Sequence, residues 1–502
     1  MTANHDRILS EFMAKCDELF QFVRHSASEI TAYEAEARVF EIVLELGALG
    51  MTAYLDAQAP LHHGVTATDK DGHVLKYSGE RQGLLYSIFG EISYKRSYFC
   101  GDGRGWFPMD GALNLPPKGH SDFLRKFMEE FAIDMSYDDT TTKFAKYFPV
   151  ATSTRGIKDA IAQDSQDVEA FYAQATPPQS PPEATILAVQ ADGKGVAMRK
   201  AAVLDTLPGQ EKEGPKRDGK KKEVTVVSVS THVPYFRTAE QVRESLFREK
   251  ADDGVEPGDG REKPAVKLTW TDIEGKRAAI SQAQVWAAVI GYEYVKYRIA
   301  LTDGQPSLQD RVDESFPDYV RILDLIHATS YLWSAADAYF GKGTDKARKW
   351  VYDNVLLMLQ GKTRMIIDEI DKWLLGVADK ERAKWVKLEK SANYFEKNLD
   401  AMKYDEYIAN GWPIATGIIE GACRHVVKDR CERSGMTWTQ NGVQALLQLR
   451  CIHQNGDWDA YHAFRMRNRH ENVWGVKNFQ TNGPSETDVH QFNSKSRYAA
   501  AA

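Results

Sequence analysis

Residues Thr185–Gly195 read TILAVQADGKG. Ile186, Leu187, Ala188 and Val189 form an unbroken apolar run followed by an aspartate and two glycines, the pattern of a strand buried on both faces that ends in a turn. The turn, expected over Asp192–Gly195, leaves the Asp192 carboxylate just past the end of a central strand. Val196–Lys200 and Val224–His232 (VTVVSVSTH) read as further strands, joined through the Lys212–Lys222 segment KEGPKRDGKKK. A helical stretch over Thr238–Lys250, a short strand near Val266–Trp270 and a helix over Ser281–Tyr292 follow. Tyr297–Thr302 (YRIALT) then repeats the first arrangement and ends on Asp303-Gly304. Two strands of one sheet that each end on Asp-Gly bring both carboxylates to one crevice at the carboxyl edge, where α/β sheets keep their sites.

A third apolar piece, Val320–Leu323, runs into Asp324 and His327, so Asp324 rivals Asp303 as the second carboxylate. From there to about residue 410 the spacing is helical. After Gly411-Trp412-Pro413 a helix is expected from Glu420 to about Arg433, with Glu420, Arg424 and Lys428 on one face at four-residue spacing. One such glutamate could equally be a surface ion pair. Three converging carboxylates can hold two hard divalent cations through oxygen ligands, the arrangement used for in-line displacement at phosphorus. The chain offers no Ser/His/Asp order, no GxxxxGK[ST] loop and no HExxH, and the GxG at Gly193 and Gly195 lacks its third glycine.

Upstream, Ile8–Ser28 and Ala32–Met51 read as amphipathic helices that serve dimerisation or packing. Gly72–Ser97 reads as a small antiparallel strand unit. Ser121–Met135, a second helix capped by Ser136, and a third capped by Thr152 or Ser153 and running to about Ala175 have the shape of a helix-turn-helix or of a plain helical bundle. In the first case Arg155 and Lys158 sit where a recognition helix meets base edges. The proline-rich Pro177–Glu183 is a linker.

With Asp192, Asp303 and Glu420 in view, the chain resembles insertion-sequence transposases of the DDE class, specifically the Kra-type family related to the Mutator-like transposases. The phrases that carry the likeness are ADGKG (191–195), LTDG (301–304), FPDYVRILDLIHATSYLW (316–333), GIIEGACRHVVKDRCERSGMTW (417–438) and NGDWDAYHAF (455–464), with SIFGEISYKRSYFC (87–100) and LNLPP (113–117) upstream. The resemblance implies an α+β multidomain protein whose ribonuclease-H-like α/β catalytic domain is interrupted by an all-helical insertion and preceded by helical and helix-turn-helix regions. It assigns catalysis and the binding of two Mg²⁺ (or Mn²⁺) ions to Asp192, Asp303 and Glu420, and an accessory role to the DxxH pair Asp324 and His327. It further implies double-stranded DNA as partner, both the element's terminal inverted repeats and target DNA, and a homodimer or higher oligomer on DNA. Expected DNA contacts are Arg155, Lys158, Lys194, Lys220, Lys221, Lys222, Arg424, His425, Lys428, Arg430 and Arg433.

The corresponding divisions are a helical region at 1–60, a β unit at 61–118, the helix-turn-helix at 119–176, a catalytic domain at 184–327 and 413–470 interrupted by helices at 328–412, and a disordered tail at 471–502. Length agrees, since 502 residues suggest about three domains. A hydrophobic fraction of 43% and a charged fraction of 27% exclude fibrous and wholly disordered chains. No apolar run reaches bilayer length and the first twenty residues carry no signal-peptide block, so a cytoplasmic protein with no membrane partner is expected, and the resemblance implies association with the nucleoid of a bacterium. Five sparse cysteines, never in a CxxC pair, are expected to be thiols. A net charge of −7 argues against coating nucleic acid by bulk charge, so affinity falls to local basic runs, including Arg465, Arg467 and Arg469, although such runs are commonly solvated faces. Two other readings stay open: a DNA-binding relic that no longer cuts, and a metal-dependent structure-specific nuclease.

Overall fold

The computed structural model describes residues 3–25, 30–117, 119–199, 221–247, 263–290, 293–378 and 381–475. It is an α+β protein that divides into two units, Met1–Ala160 with Asp459–Ala502, and Ile161–Trp458.

The first unit opens with α1 (Ala3–His25) and α2 (Ala32–Gln58), the second started by a reciprocal cap between Thr31 and Glu34. A four-stranded antiparallel sheet follows: β1 (Thr66–Thr68), β2 (Val74–Ser87), β3 (Gly90–Gly101) and β4 (Arg104–Trp106), paired in that order. Leu55, Leu85, Ile92, Tyr94 and Met109, the last from α3 (Pro108–Ala112), form its core. Three helices come next: α4 (Asp122–Asp134), α5 (Tyr137–Tyr147) and α6 (Thr154–Asp164). Ser121 and Ser136 cap the first two, as their position before acidic first-turn residues predicts. The expected third helix is shorter than its reading, because a 3₁₀ turn at Ser165–Asp167 interrupts it, and the division between the units falls inside α6.

The second unit begins with α7 (Val168–Gln174) and holds a five-stranded sheet. Its strands are β5 (Ile186–Ala197), β6 (Lys221–His232), β7 (Val266–Asp272), β8 (Tyr297–Thr302) and β9 (Val320–Leu323). Their order across the sheet is β7-β6-β5-β8-β9. β6 runs antiparallel to both neighbours, whereas β5, β8 and β9 are parallel. Helices α8 (Ala239–Phe247), α9 (Lys276–Val289) and α10 (Pro306–Ser315) punctuate these strands.

The expected turn at Asp192–Gly195 is strand. β5 continues through it to Ala197, with Asp192 opposite Val226 and Gly195 opposite Glu223. The glycines serve cross-strand approach here, since a Cβ on Gly193 would stand 2.8 Å from the Glu223 side chain. Asp192 nevertheless lies at an edge, because β8 pairs with β5 only as far as Gln190↔Leu301.

After β9 the chain is helical: α11 (Leu325–Phe340), α12 (Asp345–Leu359), α13 (Thr363–Gly376), α14 (Arg382–Asn398) and α15 (Tyr404–Ala409). Leu332, Ala336, Val351, Ile367, Leu388 and Phe395 bind this block to Ile299, Leu301 and Ile322 of the sheet in one apolar core. The unit closes with α16 (Gly417–Ala422), a π-helical turn at Cys423–Lys428, α17 (Asp429–Cys431) and α18 (Gln440–Gln454). α19 (Trp458–Asn472) clusters with the first unit from Asp459 onward, and there Arg469 grips Asp122 with both guanidinium nitrogens at 2.7 Å. Arg469 is therefore an internal strut of that unit, against its reading as part of a DNA-facing run. All five cysteines are free. No helix among the described residues is long and apolar enough to cross a membrane.

Candidate functional site

Five side chains meet at the carboxyl edge of the β5-β8-β9 half of the larger sheet. Asp192 leaves β5 where β8 has stopped pairing, Asp303 follows the last residue of β8, and Asp324 follows the last residue of β9. His327 stands in the first turn of α11 and Glu420 on α16. Parallel neighbours that end at one level make this juxtaposition a consequence of register.

Asp324 is wholly buried and is the N-cap of α11. Its Oδ1 accepts from Thr416 N at 2.9 Å and Ile326 N at 3.3 Å, and its Oδ2 from His327 N at 3.0 Å and His327 Nδ1 at 2.7 Å. Burial alone would raise its pKa, but the hydrogen bonds from His327 and Thr416 outweigh it and hold the carboxyl below its usual range. The same bond raises the pKa of His327, with Asp303 and Glu420 adding to the effect against burial.

Asp192 is half-buried. Its Oδ1 accepts from Gly193 N at 2.6 Å and its Oδ2 from the Cys423 thiol at 3.3 Å. Burial pushes its pKa up, and Asp303 pushes the same way. Glu420 is likewise raised, by burial first and then by Asp324 and Asp192, while Thr416 Oγ1 donates to its Oε1 at 3.4 Å. Asp303 Oδ1 accepts from Gln305 N at 2.9 Å in a turn over Gly304, whose φ of +89° requires a glycine. Tyr394, stacked on Tyr331 at 3.6 Å, donates its hydroxyl to the Asp303 carbonyl at 2.9 Å and pins that turn from the helical block. Beneath α16, the buried Gln190 accepts from Ile419 N at 3.1 Å.

Among the described residues no lysine or arginine lies within ion-pair distance of Asp192, Asp303 or Glu420. Two groups of described side chains bring three donor atoms within 4.8 Å of one another: Asp324, His327 and Glu420, and separately Asp69, Asp71 and His73. Asp192 and Asp303 belong to neither, although both are within electrostatic reach of the first. The tight group around Glu420 is thus built from the DxxH pair, where the sequence assignment placed Asp192 and Asp303. The second group already holds a cation, since Arg104 Nη1 lies 3.7 Å from Asp69 and 3.4 Å from Asp71.

No family model matches the chain, and no curated protein matches it either.

The expected basic contacts separate into several environments. Arg424, His425, Lys428 and Arg433 are exposed, with His425 Nδ1 3.0 Å from Asp429. The helix that carries Glu420, Arg424 and Lys428 passes from α16 into the π-helical turn after Ala422. Arg430 is a correction: it is 1% exposed, with its guanidinium 5.0 Å from the centre of the Trp438 ring, so it is a core side chain. Lys221 is exposed and pairs with Glu432 at 3.0 Å, Lys222 is half-buried opposite Val196, and Lys194 is half-buried within electrostatic reach of Cys423 and Glu432. Lys220 lies outside the described residues, as does the tail from 476. In the first unit Arg155 is exposed, 3.9 Å from Asp159, and Lys158 Nζ is 5.9 Å from the centre of the Tyr137 ring.

Cys423, Thr416, Gln190 and Tyr394 have no counterpart in the sequence reading. Cys423 carried a signal, standing three residues after Glu420 and so one helical turn along. The others come from distant segments, and nothing local points to them.

Proposed function

We propose that the chain is a DDE transposase of the Kra type, cleaving DNA at the ends of its own insertion sequence and joining them to target DNA. The observation that carries this reading is the placement of Asp192, Asp303 and Glu420 on the first strand, the fourth strand and a late helix of a sheet ordered 3-2-1-4-5 with only its second strand reversed. That order and the helical block between β9 and α16 fit a ribonuclease-H-like domain with a helical insertion. Carboxylates from three elements, with no described lysine or arginine to balance them, fit divalent cations such as Mg²⁺ or Mn²⁺. When bound, a pair of such ions supplies activation of a hydroxyl nucleophile and stabilisation of the leaving oxygen at phosphorus.

The protein's own part is positional. Asp192 is held by Cys423 and Gly193, Asp303 by the Gly304 turn under Tyr394, and Glu420 by Thr416. Exposed Arg424, Lys428 and Arg433 continue from the Glu420 helix and present cations to a phosphate backbone, with the exposed His425 ring among them. The test is Mg²⁺- or Mn²⁺-dependent cleavage and joining of labelled DNA carrying the inverted repeats that flank the gene. Cleavage followed by joining, lost in Asp192→Asn, supports the reading. Binding of those ends without cleavage in either metal sinks it in favour of the DNA-binding relic, and cleavage without joining favours the nuclease.

A further inference from the structure

We infer that His327 is itself a ligand of the divalent cation, through Nε2, and that this nitrogen tilts the site toward Mn²⁺ over Mg²⁺. The inference rests on the reading that this edge holds a divalent cation.

Four observations carry it. Both oxygens of the buried Asp324 are taken by hydrogen bonds from Thr416, Ile326 and His327, so that carboxylate cannot turn to a cation without uncapping α11. Its bond to Nδ1 places a hydrogen on that nitrogen and leaves the lone pair of the neutral ring on Nε2, the carboxylate–histidine arrangement that fixes tautomer and ring orientation for a metal. Among the described residues Nε2 has no partner, and the side chain is 39% exposed, so the nitrogen is reachable. His327 and Glu420, with Asp324, each bring a donor atom to within 4.8 Å of the others. A cation about 2.1 Å from each of two donors spans about 4 Å, which is the scale of this grouping.

Donor chemistry then sets the preference. Mg²⁺ takes oxygen ligands and keeps its waters, whereas first-row ions accept imidazole more readily. A site built from carboxylates alone would discriminate less between the two.

The test uses the full chain, carrying His73→Gln to remove the other histidine-containing group, loaded with Mn²⁺ alone at neutral pH. Pulsed electron paramagnetic resonance of the bound Mn²⁺ is expected to show nitrogen modulation that changes frequency when the histidines carry heavy nitrogen. This measurement needs no change at the site. In His327→Gln the modulation disappears, Mn²⁺ affinity falls about tenfold or more, and the Mn²⁺-to-Mg²⁺ affinity ratio drops. Bound Mn²⁺ with water modulation only, or an affinity ratio unchanged in His327→Gln, overturns the ligand role while leaving a carboxylate site standing. Absence of any Mn²⁺ binding overturns the ligand role together with the metal reading beneath it.

Discussion

Cys423 donates its thiol hydrogen to Asp192, Sγ to Oδ2 at 3.3 Å, and so ties the Glu420-bearing helical segment to β5. Burial, with the neighbouring Asp192 charge, pushes the thiol pKa far up, which keeps it a protonated donor at neutral pH. Cys423→Ala is expected to weaken divalent-cation binding about tenfold by freeing Asp192, and Cys423→Ser to restore most of it. Titration of both variants with Mn²⁺ checks this, and an alanine variant that binds like wild type removes any role for the bond.

Asp303 and Asp324 are expected to fail differently. Asp303→Asn abolishes cleavage and leaves the melting temperature near wild type, because its amide oxygen can still accept from Gln305. Asp324→Asn turns an NH₂ group toward donors at His327 or Thr416 and costs about 1–3 kcal/mol of stability. Activity and thermal melting of the two proteins side by side separate the roles, and equal melting would remove the structural one from Asp324.

Stability should depend on pH and cation together. The raised folded pKa values of Asp192 and Glu420 contribute stability below their unfolded values of about 4, and that contribution is lost as pH rises through the folded ones. At neutral pH the two charges oppose folding, so Mn²⁺ raises the melting temperature there and its effect shrinks below about pH 5. For the Asp324–His327 pair, the lowered aspartate contributes above about pH 4 and the raised histidine below about pH 6.5. Both contributions are fully present between those values, so His327→Gln lowers the metal-free melting temperature in that window and removes the decline expected as pH rises above about 6.5. A profile unchanged in His327→Gln would contradict the assignment.

Arg430 and Arg433, three residues apart, are expected to separate stability from DNA affinity. Arg430→Ala removes a buried side chain packed on Trp438 and costs about 2–4 kcal/mol, read by denaturant unfolding. Arg433→Ala leaves stability within about 0.5 kcal/mol and lowers both DNA affinity and its salt dependence. A salt slope identical to wild type in Arg433→Ala would take that residue out of the interface.

Strands and carboxylates were legible because their signals are local. The apolar runs before Asp192, Asp303 and Asp324 mark strand ends whatever the rest of the chain does, and the serines before α4 and α5 mark helix starts. Asp-Gly at 192–193 misled, because glycine serves a turn and a crowded strand equally well and only the partner Glu223 decides between them. Arg430 misled because its charge reads as surface until Trp438 covers it. The partnership of His327 with Glu420, and the grip of Tyr394 on the Asp303 turn, depend on packing between segments about 90 residues apart, which no spacing within either segment encodes.

The π-helical turn at Cys423–Lys428 carries one more consequence. Each residue of an i→i+5 turn advances through a smaller angle than in an α-helix, so buried Val426 and Val427 stay seated while exposed Arg424, His425 and Lys428 fan outward across a widened arc. A straight ladder of cations suits one rigid line of negative charge. On the proposed DNA-binding reading, an arc suits a polyanion that curves past the helix, and loss of a single arginine or lysine there is expected to be buffered by those beside it.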